Sequence, residues 1–133
     1  MNTLPKVSLV TTTYNDANNL EKILEQAVRQ DYENLEYVIV DGGSTDGTLD
    51  LIRRLEAQKP GRVRWISEPD KGIYDAINKG IALAQGDIIG FCFDRLAAPD
   101  VISRMVDVIQ REGTDGVHGD LCYMDGDRVV RKW

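Results

Sequence analysis

One histidine, His118, is all the imidazole in the chain, and this excludes a histidine-rich metal site. Cysteine is nearly as scarce. Cys92 and Cys122 stand thirty positions apart with no CxxC pair, a spacing that gives neither a zinc site nor a disulfide framework. Cys92 lies in an apolar run and reads as a small buried hydrophobe. Long hydrophobic runs are also missing. The longest, residues 88–93, is far too short to cross a bilayer, so a membrane-spanning protein is not expected. Residues 1–6 show no basic head leading into an apolar stretch; no secretory signal is visible, and the cytoplasm is the expected compartment. A basic surplus is lacking too: 16 Lys and Arg against 22 Asp and Glu give a net charge of −6, which disfavours nucleic acid as a partner.

Two nucleotide-binding signatures are absent. The first strand is not followed by a GxGxxG turn, because that position holds TTYND, and no GxxxxGK[ST] loop occurs anywhere. Dinucleotide and P-loop readings are correspondingly weak.

What is present is the composition of a folded globular chain, with 42% hydrophobic and 29% charged residues over 133 positions. That length predicts a single domain over residues 1–133, without linker or repeat. Strands and helices alternate. Residues 6–12 are β-branched and apolar like a strand covered on both faces, and Leu20, Ile23, Leu24, Ala27 and Val28 then recur at helical spacing, with Asn18 or Asn19 as N-cap. Residues 36–41 predict a second strand, a GGSTDG loop follows, and Leu51, Ile52 and Leu55 mark a helix ending before Pro60. A third strand at 63–67 leads to a helix through Ala76, Ile77, Ile81 and Ala84, closed by Gly86. A fourth strand at 87–93 leads to a helix carrying Val101, Ile102, Met105, Val106 and Ile109, with Pro99 at its first position. Residues 117–124 and 129–131 predict two further strands joined by Asp125, Gly126 and Asp127. The order is that of an α/β fold, a three-layer α/β/α sandwich with a mostly parallel sheet.

In such sheets ligands bind beyond the carboxyl ends of the strands. The first strand delivers Thr12, Tyr14 and Asn15 to that rim, the second Asp41, the third Glu68, Asp70 and Lys71, and the fourth Asp94 and Arg95. An aromatic to stack on a base, an acidic strand end to accept from base or ribose, a lysine for phosphate and an Asp for a divalent ion together suit a nucleoside diphosphate with Mg²⁺ or Mn²⁺.

Three segments, VTTTYN at 10–15, VDGGSTDGT at 40–48 and EPDKGIYDAINKG at 68–80, resemble in order and spacing the signature segments of family 2 glycosyltransferases with the GT-A fold. The likeness covers essentially the whole chain, and Gly119-Asp120 with the predicted hairpin is similar to what these enzymes place after the fourth helix. The resemblance implies transfer of a sugar, with inversion, from a nucleoside-diphosphate donor, UDP-sugar favoured, to a saccharide or lipid-linked acceptor; the latter is compatible with peripheral membrane contact. It also implies a divalent cation and a chain cut short at the acceptor-binding side.

By the same resemblance Thr12 and Tyr14 cradle the nucleobase, Asn15 belongs to the donor site, and Asp41 hydrogen-bonds base or ribose. Each has a structural alternative: Tyr14 as a packing aromatic, Asp41 as organiser of its own turn, and Lys71 as a solvated charge instead of a diphosphate partner. Asp75, placed with the donor site, forms with Asn78 a pair one helical turn apart whose first reading is structural support of the loop, and Asp46 reads as a helix cap or turn residue before Thr48.

The run FCFDRLAAPD at 91–100 departs from the family pattern. Asp94 matches the first acid of the DXD motif and is the expected metal ligand, whereas Arg95 falls where the second acid is usual and cannot ligate a cation. Dependence on Mn²⁺ or Mg²⁺ is therefore expected to be weakened, with Arg95 facing the diphosphate as one way to replace the ion. Asp120, the late carboxylate after a predicted strand, is the candidate general base. The rival readings are a non-catalytic nucleotide-sugar-binding or assembly module and a flavodoxin-like or receiver-like signalling domain.

Overall fold

The computed structural model describes residues 4–125 and 128–132, so the expected turn at 126–127, the start at 1–3 and the terminal residue lie outside the described residues. The element order is β1 (Val7–Thr13), α1 (Ala17–Ala27), β2 (Leu35–Asp41), α2 (Thr48–Gln58), β3 (Val63–Ser67), α3 (Ile73–Leu83), β4 (Ile88–Phe91), α4 (Val101–Glu112), β5 (Cys122–Asp125) and β6 (Arg128–Lys132). The first four strands form one parallel sheet in the order β3-β2-β1-β4; β5 and β6 pair antiparallel as a separate ribbon.

Alternation along the strands decides the layers. Val7 and Leu9 of β1 and Tyr37 and Ile39 of β2 join one buried cluster with Leu20, Ile23 and Leu24 of α1, Leu51, Ile52 and Leu55 of α2, and Ile102 and Val106 of α4. The next residues along, Val10 and Val40, face α3 on the other side. There the helix presents Gly80, where a Cβ would lie 2.5 Å from Val10 Cγ1, so the glycine sets how closely α3 packs on the sheet. Helices on both faces of a parallel sheet make the expected three-layer α/β/α sandwich. Its β2 strand is buried along its whole length.

The amino ends of the strands are locked by one carboxylate. Glu36, 3% exposed, accepts from Ser8 Oγ at 2.6 Å and the Gln85 N–H at 2.7 Å, and pairs with Lys6 at 3.2 Å and Arg64 at 3.1 Å. Burial works to raise its pKa, but the bonds from Ser8, Gln85, Lys6 and Arg64 prevail and hold it at about 2.

Three local expectations are corrected. The N-cap residue of α1 is Asp16, while Asn18 and Asn19 lie inside the helix, and Asn19 Nδ2 donates to Asp16 Oδ2 at 3.1 Å. Helix α4 begins at Val101 after Asp100, so Pro99 is not its first residue; the side chain of Gln30 accepts from the Ile102 N–H at 3.1 Å and donates to the Ala98 carbonyl at 2.7 Å, doing from a distance what a local cap would do. Strand β4 stops at Phe91, short of the expected 93, and residues 117–121 are not strand.

Candidate functional site

The carboxyl ends of β1, β2 and β3 and the first turn of α3 enclose a cleft of about 550 Å³. Thr12 and Thr13 end β1 in it, Tyr14, a residue 63% exposed, follows on its wall, Gly42 contributes from the loop after β2, Pro69 and Asp70 from the loop after β3, and Gly72, Ile73 and Ala76 from the start of α3. A smaller depression of about 200 Å³ shares Thr12, Thr13, Asp16 and Ile73 and extends to Phe93 beyond β4. This second depression lies where strand order reverses, between β1 and β4, the usual crevice of open α/β sheets. The Thr13 hydroxyl at the floor is buried with no hydrogen-bond partner among the described residues.

The loops around the cleft are held by side chains that sequence reasoning had placed in ligand contact. Asn15 sits at φ 46°, a left-handed conformation that Asn tolerates, and receives the Thr45 N–H on Oδ1 at 2.8 Å while its own N–H donates to Ser44 Oγ at 2.7 Å. It clamps the β1 loop to the β2 loop. Asp41 is fully buried and differs from the expectation that it would face base or ribose. Its Oδ2 accepts from the Gly43 N–H at 3.1 Å, the Ser44 N–H at 2.8 Å and Ser67 Oγ at 2.6 Å, and its Oδ1 from Ser44 Oγ at 2.5 Å. Four donors occupy the carboxylate, and its geometry is that of the turn organiser.

Asp46 accepts from the Thr48 N–H and hydroxyl on one oxygen and the Ala17 N–H on the other, so it serves the starts of both α2 and α1; the Thr48 hydroxyl is the main cause of its lowered pKa. Asp75 lies outside the cleft lining. It accepts from the Lys71 N–H at 2.9 Å, the principal cause of its lowered pKa, and approaches Lys79 at 3.6 Å, which makes it a brace for the loop before α3. Lys71 itself is exposed beside Asp70 and Gly72, both of which line the cleft.

Two cleft residues outside the expected donor set, Gly42 and the rim residue Asp70, meet at its wall. Gly42 carries no side chain where a Cβ would lie 3.0 Å from Asp70 Oδ2 and 3.3 Å from Tyr14 Cδ2, so the Tyr14 ring and the Asp70 carboxylate face each other across it. Asp70 is half-buried, and its Oδ1 accepts from the Gly72 N–H at 3.0 Å. The signal was visible as a short-side-chain position before GSTDG, but the juxtaposition needs the fold.

Asp94 and Arg95 are both exposed beyond β4 and do not line the main cleft. Among the described residues no three His, Cys, Asp or Glu side chains cluster to hold a metal ion. A single carboxylate completed by the oxygens of a bound diphosphate is still a donor set that Mg²⁺ accepts, and Asp94 fits that limited role while Arg95, with donors alone, does not. Cys92 is buried as expected; burial first, and the Asp94 charge second, push its thiol up to about 11. Asp120 is not brought to the cleft. It is exposed and ion-paired to Lys132 at 3.3 Å, and it does not line the main cleft. Among the described residues no helix is long and apolar enough to cross a membrane.

The fold finds counterparts among known proteins. The model of the family described as Glycosyl transferase family 2 matches residues 8–133. An uncharacterized glycosyltransferase of Mycobacterium tuberculosis, Rv1514c, is 38% identical over 116 residues, covering 85% of this chain and 43% of the relative. A PGL/p-HBAD biosynthesis glycosyltransferase of Mycobacterium bovis is 36% identical, covering 88% of this chain and 47% of the relative. The chain thus spans less than half the length of these relatives. Among solved structures, the mannosyltransferase PcManGT from Pyrobaculum calidifontis in complex with GDP-Man and Mn²⁺ superposes with a TM-score of 0.71 at 31% identity, over 79% of this chain and 32% of that one. Staphylococcus aureus TarS 1-349 in complex with UDP-GlcNAc gives 0.73 at 21% identity over 95% and 37%, a likeness of fold that agrees with the expected GT-A arrangement.

Proposed function

The chain belongs to glycosyl transferase family 2, and on that premise we propose that its cleft binds the nucleoside-diphosphate part of a sugar donor whose sugar passes, with inversion, to a saccharide or lipid-linked hydroxyl. The observation that carries the reading is the convergence of an exposed aromatic, Tyr14, with the ends of three strands and the start of α3 on one cleft of about 550 Å³. Stacking of a base on such a ring contributes about 1–3 kcal/mol. The amino end of α3 carries partial positive charge, and exposed Lys71 stands beside it; both favour a diphosphate. UDP is the donor nucleotide favoured from sequence, and the GDP-Man complex of the Pyrobaculum relative supports GDP beside it.

Asp94 would hold a divalent ion together with the diphosphate; when bound, the ion neutralises charge on the leaving group. The chain's own residues stack the base, position the loops through Asn15 and Asp41, and offer cations at Lys71 and Arg95. Removal of the acceptor proton is assigned to no residue of this chain, since Asp120 is paired with Lys132 outside the cleft. One observation favours the alternative of a non-catalytic nucleotide-sugar-binding module: Arg95 stands beside Asp94 in a site without a carboxylate cluster among the described residues. Donor binding without transfer would distinguish it.

Calorimetric titration with UDP and GDP, with and without Mn²⁺, tests the reading. Binding is expected for at least one, weakened about fivefold or more by Tyr14→Ala. Absence of binding by both at millimolar concentration contradicts it.

A further inference from the structure

We infer that Asp70 reads the base of the bound nucleotide by accepting its ring N–H, so that the cleft takes uracil, thymine and guanine nucleoside diphosphates in preference to cytosine and adenine ones. This rests on the proposed donor site and names its specificity. A base stacked on Tyr14 keeps its hydrogen-bonding edge free, and the partner of that edge must be polar, unspent and beside the ring. Asp41 fails because it is buried under four donors, and Asn15 fails because its Oδ1 is taken by Thr45.

Asp70 meets all three conditions. Its Oδ2 and the Tyr14 ring lie within 3.3 Å of the same point above Gly42, and any side chain at position 42 would crowd that space. Its Oδ1 is fixed by the Gly72 N–H at 3.0 Å, which sets the direction of the carboxylate, while Oδ2 accepts no hydrogen bond among the described residues. An ionised carboxylate only accepts. Uracil and thymine offer N3–H, and guanine offers N1–H with its exocyclic amine; cytosine N3 and adenine N1 are acceptors and would set lone pairs against the carboxylate. A site built to receive an N–H discriminates strongly against a ligand lacking it, because its own acceptor is then left unpaired.

The test measures dissociation constants of UDP, GDP, CDP and ADP for the native chain and for Asp70→Asn. Asn keeps the oxygen that receives the Gly72 N–H but presents an amide donor in place of Oδ2. The native chain should prefer UDP and GDP over CDP and ADP by about tenfold or more. Asp70→Asn should weaken UDP about tenfold and reverse or erase the UDP to CDP preference. Equal affinity of the native chain for all four nucleotides overturns the inference while leaving the donor site standing. So does a preference that survives Asp70→Asn, or a uniform loss across all four, which would make Asp70 a support for the Gly72 turn. If no nucleotide binds, the proposed donor site falls and this inference with it.

Discussion

Ser67 at the end of β3 donates its hydroxyl to Asp41 at the end of β2 at 2.6 Å, so the two strand ends that flank the cleft are joined through a carboxylate with no exposure to solvent. The cleft floor is therefore a structural unit. Tyr14 and Asp70, which line the cleft, sit on loops that this unit holds.

Asp41→Ala would strand two backbone N–H groups and two hydroxyls in a buried turn. The expected loss of stability is roughly 2–4 kcal/mol, read as the shift in a denaturant-unfolding curve. An unchanged unfolding midpoint would show that Asp41 does not hold the turn.

Gly80→Ala sets two effects against each other. Alanine gains about 1 kcal/mol of helix propensity, but its methyl would lie 2.5 Å from Val10 Cγ1, and overpacking of that kind costs about 1–3 kcal/mol. A net loss is expected, visible as a lower melting temperature; a stabilised variant would mean that α3 moves freely away from the sheet.

Glu36 predicts the shape of acid unfolding. Its folded pKa of about 2 lies below the ordinary 4.5, so its contribution is fully present above 4.5 and is lost as the pH falls towards 2. Over that window the native chain should lose about 3 kcal/mol through this group. Glu36→Gln should be less stable at neutral pH and show a flatter stability profile between 4.5 and 2. Parallel profiles for the two proteins would refute the assignment.

Arg95→Asp removes a fixed positive charge and adds an oxygen donor beside Asp94. Both changes favour a divalent ion, so Mn²⁺ should improve UDP or GDP affinity weakly in the native chain and about tenfold in the variant. Strong Mn²⁺ dependence in the native chain, untouched by the substitution, would show that position 95 points away from the diphosphate.

The layers of the fold were legible because they follow from periodicity. Val7, Leu9 and Val10 alternate between two covered faces, and the helical spacing of Leu20, Ile23 and Leu24 fixes which face of α1 turns inward. What was not legible depends on partners distant in sequence. Gln30 serves the start of α4 across 72 positions, which displaces the local role read for Pro99. Glu36, read from sequence only as the first residue of a strand, draws Lys6 and Ser8, Arg64 and Gln85 from three parts of the chain. In the site, Asp41 ends β2 and Asp70 follows β3; burial separates them, placing the first under the loop and the second on the wall.

The most direct measurement is amide shift mapping by NMR on the isotopically labelled chain during titration with UDP or GDP. The account predicts saturable shifts at Thr13, Tyr14, Gly42, Asp70 and Gly72, around the cleft formed by the ends of β1, β2 and β3. Shifts confined to the groove between α1 and α2, lined by Glu25, Arg29 and Arg54, or no saturable shifts with either nucleotide, would contradict it.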